Sequence, residues 1–211
     1  MNKYILSIAL FINSILVVSA QNNADAERLI NNFMNSIKTE AIRTGFSLKI
    51  SEKNGVNSQQ VSGTFILKNN QFYLEMEDAR VWFDGKTQWA YMKESNEVSI
   101  TEPTEQELAE TNPASILSAF KKVSKIQFSK AKSDKNHIVV MAPKTKNATF
   151  NKVEVQFSKA TGNLSSIFIQ QKNGMTNHLS LFNYQKKVAV SQNTFIFDKS
   201  KFKGVMINDL R

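Results

Sequence analysis

The sequence predicts a mainly β, α+β fold: one large antiparallel sheet of ten or eleven strands that curls, with a few helices covering its concave side. Three observations predict it. Short segments alternate apolar and polar side chains, turn residues separate them at regular intervals, and helical periodicity is confined to two places. Alternation of this kind gives a sheet one dry and one wet face. A sheet of that size curls, and its hollow needs a cover.

The 211-residue chain opens with Met1-Asn2-Lys3, followed by an apolar run from Tyr4 to Val18 broken only by Ser7, Asn13 and Ser14. Val18-Ser19-Ala20 then supplies small residues at the positions a signal peptidase reads, so residues 1–20 are expected to be a secretory signal. An uncleaved anchor is the alternative, but the run is short of the roughly 20 residues that span a bilayer. The expected mature chain, 21–211, is one domain by its length. Without cysteine it forms no disulfide and offers no thiol for lipid attachment, as suits a soluble protein of a bacterial periplasm. Loss of the leader removes Lys3 alone from a chain of net charge +9, leaving +8. The lysines are scattered and the location is extracytoplasmic, which argues against a nucleic-acid partner.

From Ala24 to Ile42 the residues Ala26, Leu29, Ile30, Phe33, Met34, Ile37 and Ala41 recur at three- and four-residue steps, the period of one helix face. Thr44-Gly45 is expected to end this helix, glycine suiting the left-handed turn. Strands follow at Phe46–Ile50, at Val61–Lys68 and, after Asn69-Asn70, at Gln71–Glu77, where Phe72, Leu74 and Met76 share a face. Arg80 to Met92 reads as a hairpin around a two-residue Asp84-Gly85 turn. Within it Trp89 and Tyr91 point one way and Gln88, Ala90 and Met92 the other. The side taken by Trp82 depends on the register of its own strand. Asn96–Ile100 extends the meander.

The pattern then changes to helix. Thr104-Glu-Gln-Glu107 has capping-box spacing, and Asn112-Pro113 opens a second helical piece with asparagine as cap and proline at the first position. Ile116, Leu117 and Phe120 give that piece an apolar face, and Lys121-Lys122 complement the dipole at its end. Strands resume at Ile126–Ser129, His137–Met141, Val153–Phe157, Leu164–Ile169, His178–Tyr184 and Thr194–Phe197. The two histidines stand apart without partner ligands, so no metal site is expected. No nucleophile elbow, phosphate loop or zinc-protease motif is present, and the chain is read as a non-enzyme without a cofactor.

The order of Val61-Ser-Gly-Thr-Phe-Ile-Leu-Lys68, the Phe72 strand, Phe83-Asp-Gly-Lys-Thr-Gln-Trp-Ala-Tyr91, Thr111-Asn-Pro-Ala-Ser-Ile-Leu117 and Thr194-Phe-Ile-Phe197 followed by Gly204-Val205 resembles the periplasmic outer-membrane lipoprotein carriers, the LolA-like family. The Asp84-Gly85-Lys86-Thr87-x-Trp89-x-Tyr91 block is the most specific part. The resemblance implies an unclosed antiparallel half-barrel of about eleven strands with helices as a lid over an apolar groove. It implies a monomeric carrier that takes acylated lipoproteins, or related lipids, from an inner-membrane ABC-type exporter to an outer-membrane acceptor. A periplasmic regulator that senses lipid or lipoprotein with the same groove is the alternative.

The expected acyl-chain wall is Phe46, Leu48, Phe65, Leu67, Phe72, Leu74, Met76, Trp89 and Tyr91 on the concave face. Leu29, Ile30, Phe33 and Met34 meet it from the first helix, and Ile116, Leu117 and Phe120 from the second. Many members of the family carry an Arg-Pro pair before the phenylalanine strand, and the arginine latches the lid. Here Lys68-Asn69-Asn70-Gln71 replaces it, leaving Asn69 as a weaker latch. Asp198-Lys199-Ser200 likewise stands where the family commonly has proline.

Overall fold

A computed structural model of the chain describes residues 23–55 and 57–211, so the expected signal segment lies outside the described residues. Helix α1 (23–39) is followed by strands β1 (Ile42–Ser51), β2 (Ser58–Lys68), β3 (Gln71–Met76), β4 (Ala79–Phe83), β5 (Gln88–Met92) and β6 (Glu97–Thr101). Helices α2 (Glu105–Thr111) and α3 (Pro113–Val123) then lead to β7 (Ser124–Phe128), β8 (Asn136–Pro143), β9 (Phe150–Ser158), β10 (Leu164–Gln171) and β11 (Thr176–Lys186). A short β12 (Met206–Asp209) comes last.

All twelve strands form one sheet in the order β12-β6-β5-β4-β3-β2-β1-β11-β10-β9-β8-β7. Neighbours are antiparallel except β12, which lies parallel to β6. The sheet is unclosed, with β12 and β7 as its edges, and β1 paired to β11 joins its two halves. The helices lie on one side of it, here called the inner face.

Register assigns every side chain to a face. Leu67 opposes Phe72, which opposes Phe83, and Phe65 opposes Leu74, which opposes Val81; these residues share the inner face with Ile42, Phe46 and Leu48 of β1. Helix α1 lays down Ala26, Ile30, Phe33 and Ile37, all at most 4% exposed, into one buried cluster that includes Leu67, Phe72 and Phe83. The rings of Phe65, Phe72 and Phe83 form a row at centroid spacings of 5.6 and 5.3 Å. Offset stacking at such distances adds to the area they bury.

The structure corrects the expected end of α1. It stops at residue 39, and Gly45 lies within β1. The hydroxyls of Ser36 and Thr39 donate to the carbonyls of Phe33 and Ser36 at 2.8 and 3.1 Å. The backbone N–H of Asn69 takes the Ile37 carbonyl at 2.6 Å, so acceptors left open at the helix end are satisfied without a glycine cap. Gly45 serves a close approach instead: a Cβ there would lie 2.4 Å from Phe182 Cε2, at a bulge where the β1–β11 register shifts.

Three further expectations change. The β4–β5 connection is a four-residue loop, in which Asp84 Oδ1 accepts from the N–H groups of Lys86 (2.9 Å) and Thr87 (2.8 Å) and Gly85 has φ +106°. Thr194–Phe197 is not a strand, because Gln192–Phe195 forms a 3₁₀ turn opening at Ser191. The strand count rises to twelve through β12, whose exposed residues show no core alternation.

The most consequential correction concerns the hairpin aromatics. Trp82 pairs with Tyr73 and with Trp89, and Tyr91 with Arg80, which puts Tyr73, Trp82, Trp89 and Tyr91 on the outer face. The inner positions of β5 are Gln88, Ala90 and Met92. The chain after β11 covers those outer aromatics. Phe197 and Phe202 meet Trp82 edge-on at 5.4 and 5.8 Å, Phe202 lies 4.6 Å from Tyr91, and Phe195 is buried. Both faces of this hairpin carry apolar side chains, so aromaticity alone does not reveal which one looks inward.

Two substitutions test this packing. At Gly63 a Cβ would lie 2.0 Å from the Glu75 carbonyl oxygen and 2.9 Å from the Phe46 ring, so Gly63→Ala is expected to cost about 2 kcal/mol by forcing β2 and β3 apart. Chemical denaturation of the variant checks it. Burial raises the Tyr184 phenol above its ordinary range, and burial followed by the charge of Glu75 raises Tyr73 to about 12. The folded chain therefore holds protons that the unfolded chain releases near pH ~10. Stability is full below that pH and falls as pH rises toward the folded values. Tyr184→Phe should flatten this decline, measured as urea midpoints at about pH 8 and about pH 11.

Candidate ligand-binding cavity

Away from α1 the inner face is not filled. Strand alternation sends Phe46, Leu48 and Ile50 of β1, Val61 and Phe65 of β2, Leu74 and Met76 of β3 and Val81 of β4 toward a common space. Ile167 and Ile169 of β10 and Leu179 and Leu181 of β11 approach it from the other half of the sheet, in register with β1 through pairs such as Leu48 with Leu179. The roof is α3. Its residues Pro113, Ile116, Ala119, Phe120 and Val123 recur at helical spacing and face the space. They enclose an apolar cavity of about 1010 Å³ that is partly open to solvent, with the exposed residues Glu105, Lys122 and Val123 at its mouth.

Local chemistry holds the roof in place. Thr104 Oγ1 accepts from Glu107 N–H while the Glu107 carboxylate accepts from Thr104 N–H at 2.7 Å, the reciprocal cap expected from the sequence. Hydrogen bonding from Thr104 holds the Glu107 carboxyl below its ordinary range. The side chain of buried Asn112 accepts from Ala114 N–H at 2.9 Å and starts α3 at Pro113. Phe120 packs edge-on against Phe150 at 4.8 Å. Lys121 Nζ reaches Asn31 Oδ1 at 2.6 Å and Glu27 Oε1 at 3.1 Å, tying α3 to α1. At the mouth Lys122 pairs with Glu105 at 3.1 Å.

Of the expected wall, Phe46, Leu48, Phe65, Leu74, Met76, Ile116 and Phe120 line the cavity. Leu67, Phe72, Leu117, Ile30 and Phe33 belong to the solid core beside it, with Leu29 and Met34 packed against that core. Trp89 and Tyr91, expected on the concave face, are on the outer one. Asn69 contacts the helix side through its backbone rather than its side chain: with φ +56° it presents its N–H to the Ile37 carbonyl. The wall residues missed by sequence reasoning are chiefly Ile50, Val61, Val81, Phe150, Ile167, Ile169, Leu179 and Leu181. Leu179-Ser180-Leu181 and Ile167-Phe168-Ile169 lie in clearly alternating strands, and carrying the parity of Leu48 across β11 and β10 finds them. Val61 shares the parity of Phe65 and Leu67 in its own strand and follows from it, whereas Val81 carries no such signal.

The cavity has the chemistry of a container. Its wall is aliphatic and aromatic, and its polar residues, among them Glu105, Gln106, Lys122, Thr149, Gln171 and Asn177, are few. Among the described residues no group of three or more histidine, cysteine, aspartate or glutamate side chains could hold a metal ion. His137 and His178 pack beside Phe128 and Phe168, on separate strands. Among the described residues no helix is long and apolar enough to cross a membrane.

Comparison with known proteins agrees with this architecture. No curated protein matches the sequence. Among solved structures, an uncharacterized conserved protein from Thermus thermophilus aligns with a TM-score of 0.57 at 9% identity, over 88% of this chain and 99% of that one. A LolA superfamily protein from Nitrosomonas europaea aligns with a TM-score of 0.46 at 9% identity, over 82% and 98%. The MucA/MucB complex of Pseudomonas aeruginosa aligns with a TM-score of 0.47 at 11% identity, over 82% of this chain and 61% of that one. The sequence model of the family described as outer membrane lipoprotein carrier protein LolA matches residues 16–175, and the chain belongs to that family.

Proposed function

We propose that the chain is a periplasmic carrier that holds the acyl chains of lipoproteins, or of related lipids, in the cavity and delivers them to the outer membrane. The observation that carries this reading is the open apolar cavity of about 1010 Å³ between the inner face and α3. That volume is at the upper end of the roughly 300–1,000 Å³ typical of small-ligand sites. Each buried CH₂ is worth about 0.8 kcal/mol, so a sixteen-carbon chain left in water costs on the order of 10 kcal/mol. Crossing an aqueous compartment with such a chain requires a dry container, and this wall supplies one. No covalent chemistry is needed.

Release requires that the container open, and the C-terminal half of α3 is the part suited to move. The N-terminal half is anchored by buried Pro113, Ala114, Ile116 and Leu117, whereas the C-terminal half is tied to α1 and α2 through the Lys121–Glu27 and Lys122–Glu105 ion pairs, each worth about 0–1 kcal/mol. In this reading the exporter and the outer-membrane acceptor act on the α2–α3 cover, and the carrier works as a monomer after removal of its leader.

Native mass spectrometry of the mature chain incubated with a triacylated lipoprotein tests the reading. A soluble one-to-one complex is expected. Leu48→Asp, which puts a charge on the cavity wall, should weaken it about tenfold or more. Trp89→Asp, on the outer face, should leave it bound. Failure of the wild type to keep any acylated ligand in solution contradicts the carrier reading.

A further inference from the structure

The charge around the cavity mouth is uneven, and this bears on the head of the ligand. The inference rests on the carrier reading and adds a substrate class to it. Along the α3 side of the mouth, Lys122 lines the cavity and Lys144 follows it closely, its Nζ donating to the Lys122 carbonyl at 3.0 Å and its N–H to the Val123 carbonyl at 2.9 Å. Lys172 donates its backbone N–H to the carbonyl of Thr149, a lining residue, and its Nζ to the carbonyl of Lys146. Lys122 is paired with Glu105, but Lys144, Lys146 and Lys172 have no carboxylate within ion-pair distance among the described residues. On the β3 side Glu77 and Asp78 follow the lining residue Met76, and a single lysine, Lys93, donates its Nζ to the carbonyls of Met76 and Glu77.

A second observation lies next to this arc. Asn177 lines the cavity, and its Oδ1 is buried without a hydrogen-bond partner. A buried acceptor left open is costly unless something fills it. Nothing in the apolar wall around it, Ile50, Ile169 and Leu179, can donate. A ligand head that carries both negative charge and an O–H or N–H donor would satisfy the lysine arc and Asn177 together.

We infer that the cavity selects amphiphiles with an anionic head, held by Lys144, Lys146 and Lys172 on the α3 side of the mouth while the acyl chain lies inside. A phosphate and a carboxylate share this chemistry.

The test loads the full mature chain with the neutral dye N-phenyl-1-naphthylamine and titrates in chain-matched competitors below their micelle concentrations. The competitors are lysophosphatidylglycerol, a free fatty acid, zwitterionic lysophosphatidylcholine and neutral monoacylglycerol. The anions are expected to displace the dye at about tenfold lower concentration than monoacylglycerol. The gap should close in ~1 M salt, where screening acts within about 3 Å. Preference for only one of the two anions supports the inference and names the head. The K144Q/K146Q/K172Q variant should lose the preference while monoacylglycerol displaces as before, and the salt comparison on the unaltered chain gives the same information without any substitution. Equal displacement by all four competitors, or a preference indifferent to salt and to the variant, overturns the inference and leaves the carrier reading standing. Failure of the dye and of every amphiphile to bind overturns both.

Discussion

The burial of Ile30, Phe33 and Ile37 of α1 in one core with Leu67, Phe72 and Phe83 decides what the inner face can do. A sheet of twelve strands presents far more apolar surface than one helix can cover. The contact is close-packed and dry, and losing a buried phenylalanine from such a core costs about 3–5 kcal/mol. It therefore fixes α1 over part of the face. The Asn69 N–H takes the Ile37 carbonyl at the end of the helix, just before β1 begins, and the rest of the face is left to α3. One short amphipathic helix spans that part without filling it, and the cavity is the consequence.

The outer face shows the same economy with a different cover. The segment after β11 lies across Trp82 and Tyr91 with Phe197 and Phe202, then adds β12 beside β6. Burial on this side raises the Tyr73 phenol to about 12 and keeps it neutral across the physiological range. The hairpin between β4 and β5 is thus covered on its outer side as well. Its aromatics stiffen the sheet beneath the cavity and do not line it.

Much of this was legible in the sequence, for identifiable reasons. Period-2 runs such as Phe72-Tyr-Leu-Glu-Met76 and the caps at Thr104 and Asn112 are local signals, and the structure keeps them. The shape of the sheet and the family followed from their order. Two things were not local. The face taken by Trp89 is decided by pairing that runs from Phe72 through Phe83 to Gln88, and by a C-terminal cover that is remote from the hairpin in sequence and carries no recognisable register. Division of the inner face into solid core and open cavity depends on where α1 packs, and that is a tertiary matter. Hence Phe72 and Leu48, equivalent by pattern, have different surroundings: one is packed into core, the other faces open space.

The central claim is that an acyl chain occupies the inner cavity, beneath α3. Photolabelling addresses it most directly: a fatty acyl chain with a diazirine at its end is bound to the mature chain, irradiated and mapped by peptide mass spectrometry. Adducts are expected in peptides carrying Phe46 to Ile50, Ile167 to Ile169 and Leu179 to Leu181. Adducts confined to the outer aromatics, around Trp82 and Phe202, would contradict it.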